Sequence, residues 1–187
     1  SHLPMADRAR NNFDLPDAID WTEVEHVLRA FRAGQSSAVP TYDFATHSRI
    51  PARRHQSPRP FVLVEGLWLL HAPTVRGLFD LTIFLDTPAR LRCARRLARD
   101  VAQRGYTRAA VEHQLHTAVV PMHDRFVEPQ KAHADLVLTH PWNEEPLFNL
   151  ADRLWALRSD RIGAPPGNRN TFRADLADML LEHEYCH

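Results

Sequence analysis

Tyr42, Asp43, His47 and Arg49 fall within one ten-residue stretch, PTYDFATHSR at 40–49. A phenol and an imidazole can each donate and accept hydrogen bonds, so Tyr42 and His47 could read the polar edge of a small ring. The stretch keeps neither a period of two nor one of 3.6 and reads as a turn-like segment, where a surface His is the plainer alternative. A second candidate is Glu65, which precedes Gly66 at the end of the apolar run FVLVEG (61–66). A carboxylate there could hold Mg2+ directly or through water, or act only as a structural acceptor. The third candidate is the stretch ARLRCARRLARDVAQRGY (89–106), in which Arg92, Arg95, Arg96 and Arg99 are spaced i, i+3, i+4 and i+7. They share one helix face, with Leu91, Ala94, Leu97, Ala98 and Val101 on the other, and a row of guanidinium forks can clamp phosphate oxygens during phosphoryl transfer. A solvated face is the alternative, because arginine is the default base in this chain and Lys131 is its single lysine.

The final five residues, HEYCH, match H-E-x-x-H with His183, Glu184 and His187. On a helix that spacing sets two His on one face for zinc, with the Glu as general base. Here it occupies the last positions of the chain, where helices fray and no third ligand follows, so a chance match among 12 histidines is the reading adopted.

Elements must position these groups. Residues 1–13 read as polar and loop-like. Asp20-Trp21-Thr22-Glu23 resembles a capping box, and Val24, Val27, Leu28 and Phe31 continue at helical spacing until Gly34. FVLVEG (61–66), DLTIFLD (80–86) and ADLVLT (134–139) are short, nearly continuous apolar runs of the kind buried on both faces of a sheet. A helix is expected from about Pro88 to Arg104, a break at Gly105, and a second helix from about Thr107. Strands separated by helices predict an α/β parallel sheet, with ligands gathered beyond the carboxyl ends of its strands. There are no internal repeats. After His140 a helix, a Pro/Gly/Asn linker (IGAPPGNRN) and a terminal helix are expected, with Leu147, Leu150, Leu154 and Leu157 forming an apolar stripe.

Composition narrows the class. The 187 residues are 44% hydrophobic and 25% charged, which is ordinary for a globular chain. Lys+Arg and Asp+Glu number 23 each, and that balance argues against a protein built to coat nucleic acid. No apolar run approaches the ~20 residues that span a bilayer, and no signal peptide is visible at the start. Cys93 and Cys186 lie far apart and form no disulfide framework, which fits a reducing, cytoplasmic setting.

Taken together, SHLPMADRARNNFDLPDAID, VPTYDFATHSR, VLVEGLWLL, IFLDTPARLRCARRLARDVAQRG and VVPMHDRFVEPQKAHADLVL resemble the uridine–cytidine kinase family in order and spacing, from Ser1 to about Thr139. The resemblance implies an α/β, P-loop NTPase or nucleoside-kinase-like parallel sheet with flanking helices and a β-hairpin. Residues 1–140 would form that domain and 141–187 a divergent helical extension. In this family the YDF…HSR segment lies on a hairpin walling a pyrimidine pocket, so Tyr42 and His47 would hydrogen-bond uracil or cytosine. Asp14 would accept from a ribose hydroxyl, Arg96 and Gln114 would line the nucleoside side, Arg99 and Arg104 would belong to the phosphate-covering lid, and Glu65 would sit near Mg2+. The implied reaction moves the γ-phosphoryl group of ATP to the 5′-hydroxyl of uridine or cytidine. Since related kinases are often tetramers, the resemblance also implies a homo-oligomer.

Three departures bear on that expectation. A further lid arginine of the family is Tyr106 here, its Arg-Gly-Gly after the last strand is replaced by THPWN, and the chain has no G-x-x-x-x-G-K-[ST]. In the family that phosphate loop, its strand and the catalytic base precede the region matching Ser1, and the strand lies between those matching FVLVEG and TIFLD. The chain alone is therefore expected to be catalytically crippled, since P-loop amides and lysine supply most donors to the β- and γ-phosphates. The other readings are a non-catalytic remnant that binds nucleoside or depends on a partner, and a related kinase acting on a sugar phosphate or vitamin precursor.

Overall fold

The computed structural model describes residues 15–43, 48–141, 144–162 and 169–174. The chain divides into two compact units, Ser1–Thr82 with Pro121–Ala134, and Ile83–Val120 with Asp135–His187. No helix among the described residues is long and apolar enough to cross a membrane.

In the first unit, helix α1 (Trp21–Arg32) starts where the capping pattern predicts, with Asp20 accepting from the Glu23 amide at 3.1 Å. Val27 and Leu28 form its buried stripe, and it packs on the one-turn helix α2 (Pro73–Arg76) and on strand β1 (Ser37–Asp43). Its C-terminal Arg32 pins the chain beyond α2, donating to Leu78 O at 2.6 Å and to Asp80 at 3.1 Å. Strand β1 pairs antiparallel with β2 (Ser48–Gln56). The turn-like reading of 40–49 is thereby corrected, because 40–43 and 48–49 are the strand arms flanking residues 44–47. The irregular pattern has a cause in the ladder. Pro40 pairs with Arg53 but Thr41 pairs with Ile50, a bulge at a residue that has no amide to donate.

Residues 61–66 join no ladder among the described residues, and Phe61, Val62 and Leu63 are exposed. The expected strand there is corrected. Apolar, β-branched composition favours a strand, but only pairing with a neighbour makes one. Gln130 holds the turn that follows, accepting from the Leu70 amide at 3.0 Å and donating to Leu67 O and Phe126 O, each at 2.9 Å. Trp68 and His71 meet the edge of Phe126, and Arg125 lies over that ring.

In the second unit, β3 (Ile83–Asp86) and β4 (Leu136–Thr139) pair in parallel, as the α/β pattern requires. Phe84 and Leu138 are buried whereas Leu85 and Val137 are exposed, so the expected burial on both faces is corrected to one covered face. Helix α3 (Ala89–Arg104) follows β3, and Arg92 ties its first turn to the strand end by donating to Thr87 O at 3.0 Å. Gly105 ends it at φ 72°, a conformation open to glycine at little steric cost. Helix α4 (Arg108–Gln114) starts at the Thr107 cap. It runs on through the π-helical stretch Leu115–Val119; the π-helical stretch His123–Val127 and the 3-10 segment Glu128–His133 belong to the first unit.

Helix α5 (Glu144–Ile162) buries Leu147, Leu150 and Ala151, while Leu157 is exposed. Residues 169–174 are helical, so the expected linker yields to helix by 169. Asp152 of α5 takes the guanidiniums of Arg173 and Arg169, whose hydrogen bonds hold its carboxyl well below the usual carboxylate range. The HEYCH residues lie outside the described residues.

Candidate functional site

Helix α3 carries the densest chemistry. Arg96, Asp100 and Arg104 recur every four residues and so stack along one face. Asp100 is 1% exposed and three arginines converge on it. Arg99 Nε donates to its Oδ1 at 2.8 Å, Arg104 Nη1 lies 3.2 Å from the same oxygen, and Arg96 Nε lies 3.5 Å from Oδ2. A carboxylate taken out of water is costly unless cations and hydrogen bonds offset its lost hydration, which explains the convergence. The side chains of Arg96 and Arg99 are only 18% and 12% exposed, and that of Arg104 is 46% exposed.

The alternative of a solvated arginine face is therefore corrected. Arg92, Arg95, Arg96 and Arg99 are half-buried, whereas Ala94, Ala98 and Val101 on the other side are exposed, as is Arg104 near the helix end. Asp100 was not among the candidates read from the sequence, although its i−4 and i+4 arginines are a visible signal. Its backbone oxygen also accepts from Gly105 and Tyr106 amides, so one residue anchors both the cluster and the helix end beyond Arg104. The Tyr106 side chain is exposed.

Gln114 is the last residue of α4 before the π-helical turn at Leu115–Val119, and it is exposed. Single π turns within α-helices recur at functional sites. No residue pattern announces them, because the shift to an i−5 hydrogen bond has no characteristic side chain.

Tyr42 lies in β1 directly opposite Arg49 of β2. Arg49 donates to Asp20, and Arg53 of the same strand reaches Glu23 at 2.5 Å, so two ion pairs tie the hairpin to the start of α1. The Glu23 amide first, and then the Arg49 hydrogen bond, hold the Asp20 carboxyl below its usual value. These anchors were not legible, since the partners are separated by 29 and 30 residues.

Glu65 is exposed, and among the described residues 61–66 join no ladder, so it does not sit at the end of a described strand. No group of three or more His, Cys, Asp or Glu among the described residues gathers as a metal cage. Mg2+ takes one or two carboxylates and completes its shell with water and phosphate, so a single accessible carboxylate fits that donor chemistry.

Tyr42 and Glu65 thus belong to the first unit, and Arg96, Arg99, Arg104 and Gln114 to the second. The structure brings together the three arginines. Asp14 and His47 lie outside the described residues.

The model of the Phosphoribulokinase / Uridine kinase family matches residues 3–143. Over this region the chain is similar to the uridine kinase of Chloroflexus aggregans, with 46% identity across 137 residues, 73% of this chain and 66% of that protein. The uridine kinase of Chloroflexus aurantiacus is 45% identical with the same coverage. That of Clostridium perfringens is 40% identical over 138 residues, 74% of this chain and 66% of its own. The match therefore spans just under two thirds of the length of these relatives.

Proposed function

Because this chain belongs to the phosphoribulokinase / uridine kinase family, we propose that it carries the nucleoside-recognising part of a cytoplasmic uridine–cytidine kinase. The reaction is transfer of the γ-phosphoryl group of ATP to the 5′-hydroxyl of the nucleoside. The observation that carries this reading is the convergence of Arg96, Arg99 and Arg104 on Asp100. Ordered cations with fixed donor directions suit charge spread over phosphoryl oxygens, where positioning and electrostatics do most of the catalytic work.

In this reading Arg99 and Arg104 face the transferred phosphoryl group, and Arg96 and Gln114 face the nucleoside. Tyr42 and His47 hydrogen-bond the pyrimidine edge, and Asp14 accepts from the ribose. A pocket built on such bonds rejects rings lacking the matching groups, because its own polar atoms would be left unpaired. Glu65 would hold Mg2+, which when bound neutralises charge on the phosphates. The 187 residues contain no G-x-x-x-x-G-K-[ST], so they do not supply the usual cradle for the β- and γ-phosphates.

Calorimetric titration of uridine, cytidine and adenosine into the 187-residue chain tests the proposal. The pyrimidine nucleosides should bind and adenosine should not, while uridine phosphorylation by this chain alone should be slow. A robust kinase rate, with contaminating enzyme excluded, would overturn the need for the cradle. A second reading, a partner-dependent protein without kinase activity, is favoured by the exposed Tyr106 in place of a lid arginine. Failure of every nucleoside to bind would select it, and preference for a sugar phosphate in the same titrations would point to another kinase of the superfamily.

A further inference from the structure

We infer that Asp100 is a positioning residue: its buried carboxylate presets Arg96, Arg99 and Arg104 for a phosphate-bearing ligand. The inference deepens the kinase reading and rests on its assignment of these arginines to the phosphoryl and nucleoside sides.

Three observations carry it. The first is that all three arginines meet one carboxylate. Arg99 and Arg104 share Oδ1 at 2.8 and 3.2 Å, and Arg96 forms a longer ion pair with Oδ2 at 3.5 Å. Offsetting the lost hydration of Asp100 accounts for its having cationic partners, but ordering three long side chains around it also costs rotamer entropy three times over. That cost has a use if the ordered cations receive an anion, because donors fixed during folding need no ordering when ligand arrives. The second observation is direction. Arg99 donates from Nε to the carboxylate at 2.8 Å, and anchoring Nε fixes the plane of its guanidinium fork. Arg96 is held by charge, its Nε 3.5 Å from Oδ2 without hydrogen-bond geometry. The third is that the backbone oxygen of Asp100 accepts from Gly105 and Tyr106, so the helix end that carries Arg104 is held by the same residue.

The charge and the geometry of Asp100 act in opposite directions, which makes the inference decidable. Replacing Asp100 by Asn keeps the side-chain shape and removes one negative charge from the cluster. If Asp100 were only a counter-charge, its removal would tighten anion binding. If it positions the arginines, removal weakens binding even though the cluster has become more positive.

Inorganic tripolyphosphate, without nucleoside or metal, is titrated calorimetrically into the 187-residue chain at fixed ionic strength. Asp100→Asn should weaken binding about tenfold, the loss expected when a charge-assisted hydrogen bond no longer orients its donor. Asp100→Glu, which keeps the charge on a longer arm, should also weaken it. Equal or tighter binding by Asp100→Asn overturns the inference, and so does an unmodified chain that binds no tripolyphosphate. Should the variants not fold, the unmodified chain decides. Tripolyphosphate must shift the Nε–H resonances of Arg99 and Arg104, and shifts confined to other residues overturn the inference. Uridine, titrated in parallel, separates the two levels. Uridine binding with no response to tripolyphosphate sinks the positioning role alone. Tripolyphosphate binding that depends on Asp100, without any nucleoside binding, supports that role and sinks the nucleoside reading.

Discussion

Arg49 of β2 donates to Asp20 Oδ2 at 2.9 Å, while Oδ1 of the same carboxylate accepts the Glu23 amide at 3.1 Å. One side chain therefore caps α1 and holds the strand that faces Tyr42. Both bonds favour the charged form and lower its pKa below the ordinary 3.8. A lowered folded-state value gives stability that is fully present above the unfolded value and is lost as pH falls through the folded value. Asp20→Ala should cost about 1 kcal/mol at neutral pH, mostly through the cap, since the exposed ion pair with Arg49 adds little. Urea denaturation of both proteins between neutral pH and acid below the ordinary value should show the difference shrinking. A difference that stays constant with pH would mean the carboxylate charge plays no part.

Gln130 makes three side-chain hydrogen bonds from a buried position, to the Leu70 amide and to the Leu67 and Phe126 carbonyls. Truncating it strands backbone groups that turn geometry alone does not satisfy, and each such group costs about 1–3 kcal/mol. Gln130→Ala should destabilise the chain by roughly 2–4 kcal/mol. It should also speed hydrogen exchange at the Leu70 amide ahead of the α1 amides. Leu70 exchange unchanged in the variant would show that the turn holds itself.

What was legible in the sequence was local. Asp20 with Glu23, Thr107 and Gly105 each act on amides or carbonyls within a few residues, so the starts of α1 and α4 and the end of α3 could be read directly. The strands were legible in kind but not in extent. β3 and β4 are shorter than their apolar runs, and 61–66 has the composition of a strand without a described ladder. Strand formation is decided by the neighbour, which composition does not name. In the site, the arginine spacing on α3 is visible in the sequence, but spacing alone does not show which anion orders the cations. Asp100 carried its signal in Arg96 and Arg104, four residues to either side. The anchors of the hairpin, Arg49 to Asp20 and Arg53 to Glu23, join positions some thirty residues apart and had none.

Tyr42 bears the substrate assignment most open to a direct check. Tyr42→Phe keeps the ring and its place opposite Arg49 but removes the hydroxyl. If that hydroxyl bonds the pyrimidine edge, uridine binding should weaken by roughly three- to tenfold, the range for one neutral hydrogen bond. The fold should survive the change, because the ring and its place in the β1–β2 ladder are kept. Calorimetry with uridine measures the first effect and a melting curve the second. Unaltered uridine affinity would remove Tyr42 from the pocket.

Gly105 and Gly66 make opposite demands. At Gly105 an added Cβ would meet nothing within 4 Å, so space is not the constraint; the backbone at φ +72 is. Gly105→Ala should cost about 1 kcal/mol, the penalty of the left-handed conformation for an L side chain. Because Gly105 ends α3 directly after Arg104, the variant should also loosen the Arg104 contact with Asp100 and weaken tripolyphosphate binding. At Gly66 no positive φ is required, and a Cβ would approach the Leu69 side chain at an ordinary 3.5 Å. Gly66→Ala should therefore stay within about 0.5 kcal/mol of the parent. Paired denaturation curves distinguish the two. A costly Gly66→Ala would place something against that position which the chain alone does not, and a neutral Gly105→Ala would mean the end of α3 can relax without the left-handed turn.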